Sequence, residues 1–187
     1  MDLENRKTVD NSKYSTTIII RASRLKQILW YFISVIFFEN TLFPFSNLKV
    51  RLLRIFGAKM GRGALIKPNV KIKFPWKLMV GDYSWIGEQV WIDNHDYIEI
   101  GDNVCISQGA MIVCGNHDYS NVRFNYFSKR IGIESGAWLG ARSIVCPGVT
   151  VGSHAVLAVG SVATSDLLPF SIYQGNPAVK IRDRIIK

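Results

Sequence analysis

Between Met60 and Leu168 an aliphatic residue returns with a six-residue period, a small or acidic residue commonly follows it, and the fifth place of the unit is often small. Val80-Gly81-Asp82-Tyr83-Ser84-Trp85 and Ile86-Gly87-Glu88-Gln89-Val90-Trp91 show the unit, as do Ile100-Gly101-Asp102-Asn103-Val104-Cys105 and Ile106-Ser107-Gln108-Gly109-Ala110-Met111. Four more, beginning at Leu139, Val145, Val151 and Leu157, follow one another without a break. Unrelated strands of a sandwich would show strict alternation and irregular turn spacing instead. One such unit makes one short flat strand and one corner. Three units therefore close a triangular coil of roughly 18 residues, stacked about 4.8 Å above the last. The pattern predicts a mainly β chain folded as a parallel β-helix, with the aliphatic positions filling the prism and Ser84, Ala110, Ser143, Ala155 and Ser161 small because they sit near corners.

Two departures from the period stand out. Val80 and Ile100 are 20 residues apart, which places a two-residue bulge around Asn94-His95-Asp96-Tyr97. Between Gly115 and Arg130 the pattern disappears before Ile133 restores it, so a loop over 115–130 is expected to project from one corner. Insertions of this kind tend to carry function in repeat proteins.

Before the repeat the pattern is helical. Residues 1–22 read as a polar tail ending in the β-prone run Thr16-Thr17-Ile18-Ile19-Ile20, and 23–59 as a helical extension. One helix is predicted from a Ser23 cap through Leu25, Ile28, Leu29, Phe32, Ile33 and Ile36, and it is apolar on almost every side from Ile28 to Phe38. This stretch is too short to span a bilayer, which needs about 20 residues. Burial against the solenoid is the expected solution, since solenoid ends need caps; a neighbouring subunit and a membrane surface are the other two places it can go. A second helix is predicted over Ser46–Phe56, capped by Ser46 and ended by Gly57, with Lys49, Arg51 and Arg54 polar. The β-helix then occupies 60–170 and a C-terminal tail 171–187.

The chain has 187 residues and 48% hydrophobic content, enough for one core with an appendage. Cys105, Cys114 and Cys146 are odd in number and lack metal-ligand spacing, so they read as buried free thiols in a reducing, cytoplasmic setting. Net charge is +9, of which residues 1–59 hold +6, from ten Lys/Arg against four Asp/Glu. That basic preface suits anionic substrates or the inner face of a membrane. No nucleic-acid-binding motif accompanies the charge.

Among the three histidines, His154 falls at an outward position of a regular unit, His95 lies in the bulge, and His117 opens the long loop between Asn116 and Asp118. His117 is the preferred catalytic candidate. There is no phosphate-binding glycine loop and no Ser/His/Asp arrangement. The nearest two histidines are 22 residues apart, so no metal is expected.

Together, the repeat units, Asn116-His117-Asp118-Tyr119, Ala137-Trp138-Leu139-Gly140-Ala141, Val159-Gly160-Ser161-Val162-Ala163-Thr164 and Gly175-Asn176-Pro177-Ala178 resemble the hexapeptide-repeat acyltransferases. Phe56-Gly57-Ala58-Lys59-Met60-Gly61, Phe74-Pro75-Trp76 and Ile92-Asp93-Asn94 resemble the colanic-acid-biosynthesis type within them. The resemblance implies a left-handed β-helix, a homotrimer, and acetyl-CoA held between neighbouring prisms. It implies transfer of acetyl to a hydroxyl of a sugar or exopolysaccharide precursor, with His117 as general base and the backbone N–H of Ala141 as oxyanion donor. Trp138, Ala141, Val159, Thr164, Lys180 and Arg182 match CoA-contacting positions. Asp93, Asn94, Asn116 and Tyr119 are candidates for the acceptor side. A non-catalytic scaffold, and an N-acetyltransferase on an amino sugar or amino acid, are the alternative readings.

Overall fold

The computed structural model describes residues 6–16 and 18–187; residues 1–5 and 17, parts of the expected N-terminal tail, lie outside the described residues. Two helices precede a three-faced column of parallel strands, so the left-handed β-helix with a helical extension is borne out. Face I stacks Lys59–Met60, Leu78–Val80, Ile98–Ile100, Ile131–Ile133 and Thr150–Val151. Face II stacks Leu65–Ile66, Trp85–Ile86, Cys105–Ile106, Trp138–Leu139, Val156–Leu157 and Ser171–Gly175, and Ala178–Asp183 closes it as an antiparallel edge. Face III stacks Lys71–Ile72, Trp91–Asp93, Met111–Val113, Ile144–Val145 and Val162–Ala163.

Each residue type follows from its place in the unit. The first position points inward: Ile66, Ile86, Ile92, Leu139, Val145, Val151 and Leu157 are fully buried and stack coil on coil. Small fifth positions are buried too, among them Ser84, Ala110, Ser143, Ala155 and Ser161. The fourth position, variable in chemistry, is constrained in conformation: Asn69, Tyr83, Gln89, Asn103, Arg142 and His154 all have φ between 54° and 59°. This left-handed residue turns the chain through each corner. At the second position coils come within backbone contact; a Cβ on Gly87 would stand 2.7 Å from the Ile106 carbonyl oxygen.

Three features differ from expectation. The first coil, Met60 to Val80, is as long as the second, because the 3-10 turn Pro75–Lys77 is inserted in it. The insertions of three successive coils therefore lie over one another on the edge between faces III and I. Helix α2 (Ser46–Ile55) is preceded by Phe45 as its cap residue; Ser46 instead accepts a bond from the Ile66 N–H at 2.8 Å. Lys49 is fully buried, and its ammonium donates to the Lys67 carbonyl oxygen at 3.0 Å.

Helix α1 (Arg24–Ile33), capped by the Ser23 hydroxyl on Lys26 N–H, continues into one π turn, Ser34–Phe38. Trp30 and Phe38 are buried against the first coil, with Trp30 Nε1 donating to the Ile72 carbonyl oxygen at 2.9 Å. Burial stops there. Leu25, Ile28, Leu29, Phe32, Val35 and Ile36 are exposed, so the solenoid takes only one face of this helix.

The glycine contacts separate two substitutions. Gly87→Ala is expected to cost about 1–3 kcal/mol, because the coil above must move. Gly132→Ala should stay within about 0.5 kcal/mol, since the nearest atom to its added methyl is Thr150 Cγ2 at 3.8 Å. Urea unfolding of the two variants checks the difference.

Candidate active site

Residues 115–130 fold into a short antiparallel hairpin, with Gly115–His117 paired to Tyr126–Ser128, standing on the edge between faces III and I. Gly115 is required there, because an added Cβ would overlap the Tyr126 hydroxyl. His117 is half-buried, stacked on Phe124 with ring centroids 4.4 Å apart and planes 8° apart, and edge-on to Tyr126. Its Nδ1 lies 2.9 Å from the Phe124 carbonyl oxygen. A carbonyl only accepts, so Nδ1 carries the proton and the Nε2 lone pair is left for an incoming hydroxyl.

The N-terminal segment reaches this hairpin, which the repeat pattern gave no means to foresee. Asp10 N–H donates to the Val122 carbonyl oxygen, Ser15 to the Asn125 side chain, and Thr16 bridges to Tyr126. Tyr14 is thereby placed with its ring 5.9 Å from that of His117. The acceptor candidates differ in availability. Tyr119 is highly exposed, and Asn116 is exposed with its side chain accepting from the His117 N–H at 2.8 Å. Asn94 is fully buried and spends its amide on the Phe74 peptide, donating to its oxygen and accepting from its N–H. Asp93 is half-buried and faces His95 Nε2 at 3.4 Å.

His95 is corner packing. It lies between Phe74 and Tyr126, and burial lowers its pKa more strongly than Asp93 raises it. Burial likewise lowers the pKa of Lys77, whose ammonium donates to the His95 carbonyl oxygen. His154 is half-buried, its ring stacked on Phe170 at 4.6 Å. Among the described residues, no group of three or more His, Cys, Asp or Glu could hold a metal ion.

A second feature lies on the edge between faces II and III, a groove of about 650 Å³ lined by Trp138, Ala141, Val159, Gln174, Arg182 and Arg184, among others. Three of the CoA-side candidates, Trp138, Val159 and Arg182, meet here with Ala141. Lys180 does not join them, since its ammonium pairs with Asp183 at 2.7 Å. Thr164 lies past Val162–Ala163, on the edge that carries the histidine hairpin.

The Ala141 amide differs from its counterparts on the edge between faces I and II. There the third-position N–H of Arg62, Asp82 and Asp102 is taken by the side chain one coil further on, Asp82, Asp102 and Ser135 respectively. For Ala141 that next residue is Val159, whose isopropyl group cannot accept. Ala141 lines the groove, and among the described residues its N–H has no intramolecular acceptor, as is also true of Glu88 and Gln108 on the same edge. The two features occupy different edges of one prism, so one substrate can meet both only where two prisms lie side by side.

A β-helix with a histidine hairpin on one edge and an apolar groove with arginines on another has the architecture of a hexapeptide-repeat acyltransferase. No protein-family model matches the chain. Among curated proteins, the "Putative colanic acid biosynthesis acetyltransferase WcaF" of Escherichia coli (strain K12) is 36% identical over 161 residues, covering 86% of this chain and 88% of the relative. The galactoside O-acetyltransferase of the same organism is 28% identical over 135 residues, covering 71% and 66%. The hexapeptide-repeat acetyltransferase VCA0836 of Vibrio cholerae O1 biovar eltor, solved with acetyl coenzyme A, superposes with a TM-score of 0.77 at 23% identity, covering 87% and 88% of the two chains. The chain belongs to the hexapeptide-repeat acetyltransferases, and within them to the colanic acid biosynthesis type.

Burial at the foot of the hairpin gives a chemical check. Of the three cysteines expected to be buried, Cys105 and Cys146 are only half-buried, whereas the Cys114 thiol is fully buried and its pKa is pushed up to about 12, chiefly by desolvation. At about pH 8 it should resist iodoacetamide in the native protein and react once unfolded. Peptide mass spectrometry reads this, and native labelling at the unfolded rate would contradict the packing.

Proposed function

We propose that this chain moves an acetyl group from acetyl-CoA to a hydroxyl of a sugar or exopolysaccharide precursor, in a homotrimer whose sites lie between neighbouring prisms. The observation that carries the reading is the Nδ1 contact of His117 with the Phe124 carbonyl, because it fixes the tautomer a general base needs. A sugar hydroxyl is far too weak an acid to attack a thioester unaided at neutral pH. In the proposed step, His117 Nε2 takes the hydroxyl proton as the oxygen bonds to the thioester carbon. The C–S bond then breaks, and the leaving thiolate recovers the proton from the imidazolium.

The tetrahedral oxyanion is assigned to the uncapped N–H of Ala141 from the adjoining prism. Trp138 and Val159 line the pantetheine path, and Arg182 offers its guanidinium to the CoA phosphates. Arg184 is spent on the Gly136 and His154 carbonyls and so serves to hold the tail. On the acceptor side Asn116, Tyr119 and Asp93 stand near the hairpin, with Tyr14 as a further wall beside the base. The names of the relatives support the sugar and the donor: one is a galactoside O-acetyltransferase, and another was solved with acetyl coenzyme A. Membership in an acetyltransferase family also disfavours a purely structural scaffold.

A thiol-release assay with acetyl-CoA and a panel of sugars and glycan precursors tests the reading. His117→Ala should lower turnover at least about 100-fold. Acetyl-CoA affinity by calorimetry should be unchanged, because the base touches the acceptor. Full turnover in that variant would remove His117 from the mechanism. Arg182→Ala is expected to give the opposite split, weaker CoA binding with the base intact.

A further inference from the structure

Helix α1 is apolar on two opposite faces, and the solenoid covers one of them. Trp30, Ser34 and Phe38 are buried against the first coil, with Trp30 only 3% exposed. On the other side Leu25, Ile28, Leu29 and Phe32 follow the spacing of a single helical stripe at about 100° per residue, and Val35 and Ile36 of the π turn extend it. All six are exposed, Leu25 at 66% and Phe32 at 58%. A stripe of large aliphatic and aromatic side chains this continuous is more than the scattered apolar exposure normal on a protein surface.

Charge identifies what lies over it. Arg24 leaves the helix exposed on one flank of the stripe and Arg21, also exposed, precedes its first turn, while Lys26 on the other flank turns its ammonium back over the Trp76 ring, 5.2 Å from the centroid. Residues 6–59 carry ten Lys/Arg and only two acids, Asp10 and Glu39. A second copy of the chain laid on the stripe would bring two such basic extensions together. An anionic lipid surface would neutralise them while burying the stripe, and each surface-adjacent cation adds about 1 kcal/mol of attraction. The usual in-plane membrane helix keeps a strongly polar outer face; here the column packed on Trp30 and Phe38 takes the place of that face. Among the described residues, no helix is long and apolar enough to cross a membrane, so the contact is in the plane of the surface.

We propose that the exposed face of helix α1 and its π turn docks the enzyme on an anionic membrane, with the Leu25–Ile36 stripe in the acyl-chain boundary and Arg21 and Arg24 among the headgroups. The inference stands independently of the acetyl-transfer reading, since none of these residues belongs to the hairpin or the groove.

The test is vesicle co-sedimentation of the full chain, using phosphatidylglycerol mixed with phosphatidylcholine against phosphatidylcholine alone. The protein is expected to sediment with the anionic vesicles, far less with the neutral ones, and less as salt is raised. The double substitution Ile28→Asp and Phe32→Asp, on a surface the fold does not use, should lower the bound fraction at least about tenfold. An unchanged melting temperature would show that the variant is folded. Failure to sediment with anionic vesicles overturns the proposal, as does equal binding to both kinds. Substitutions that lower the oligomer mass in light scattering while leaving vesicle binding intact would assign the stripe to a second copy and overturn it too.

Discussion

The structure depends on how closely consecutive coils can approach. Each coil gives its N–H groups to the carbonyls of the next, as Gly81 does to Ile100 and Gly140 to Leu157, both at 2.8 Å. At Gly81 and Gly140 the approach leaves no room for a Cβ, although Lys67 and Glu134 make the same bond at the second position of other units, and a left-handed fourth residue turns the chain in time for the next face. With those two demands met, the aliphatic stack fills the prism. The column then becomes rigid enough to hold side chains on its edges. Stability and site geometry therefore share one cause.

Rigidity explains where chemistry can be placed. A coil of minimal length has no room for a catalytic loop, so extra residues must leave at a corner. In this chain three successive coils put their extra residues on the same edge: Pro75–Lys77, the Asn94–Tyr97 bulge and the 115–130 hairpin. Phe74, His95 and Tyr126 pack on one another across these layers. That packing supports the hairpin from below, and Phe124 orients His117 from within it. The groove at Trp138 and Ala141 needs no insertion, because it lies along regular coils.

Much of this is legible in the sequence because a six-residue period admits few geometries. The stacked aliphatics, the small fifth positions, the hairpin insertion and the Ser23 cap could all be read from residue type and spacing. What could not be read depended on contacts between distant segments. The turn inserted at Pro75 is not legible as an insertion, because Phe74-Pro75-Trp76 reads only as a motif of the family resemblance. Ser46 and Lys49 have the chemistry of a cap and a surface cation, yet the first coil recruits both. Asn94 is a candidate because its bulge lies one coil before His117, while its partner, the Phe74 peptide, lies 20 residues away in sequence. Tyr14 belongs to a segment with no periodicity, so only the pairing of Thr16 with Tyr126 reveals that it faces His117.

His117 and the groove stand on different edges, and in the proposed trimer they act together only across two protomers. Mixing two inactive variants tests it directly: His117→Ala, which lacks the base, and Val159→Trp, which fills the groove. In mixed trimers each intact edge is present half the time, so about one quarter of wild-type turnover should return at equal expression. A mixture no more active than its two parents would mean that one protomer supplies both edges, and the account of the site would be wrong.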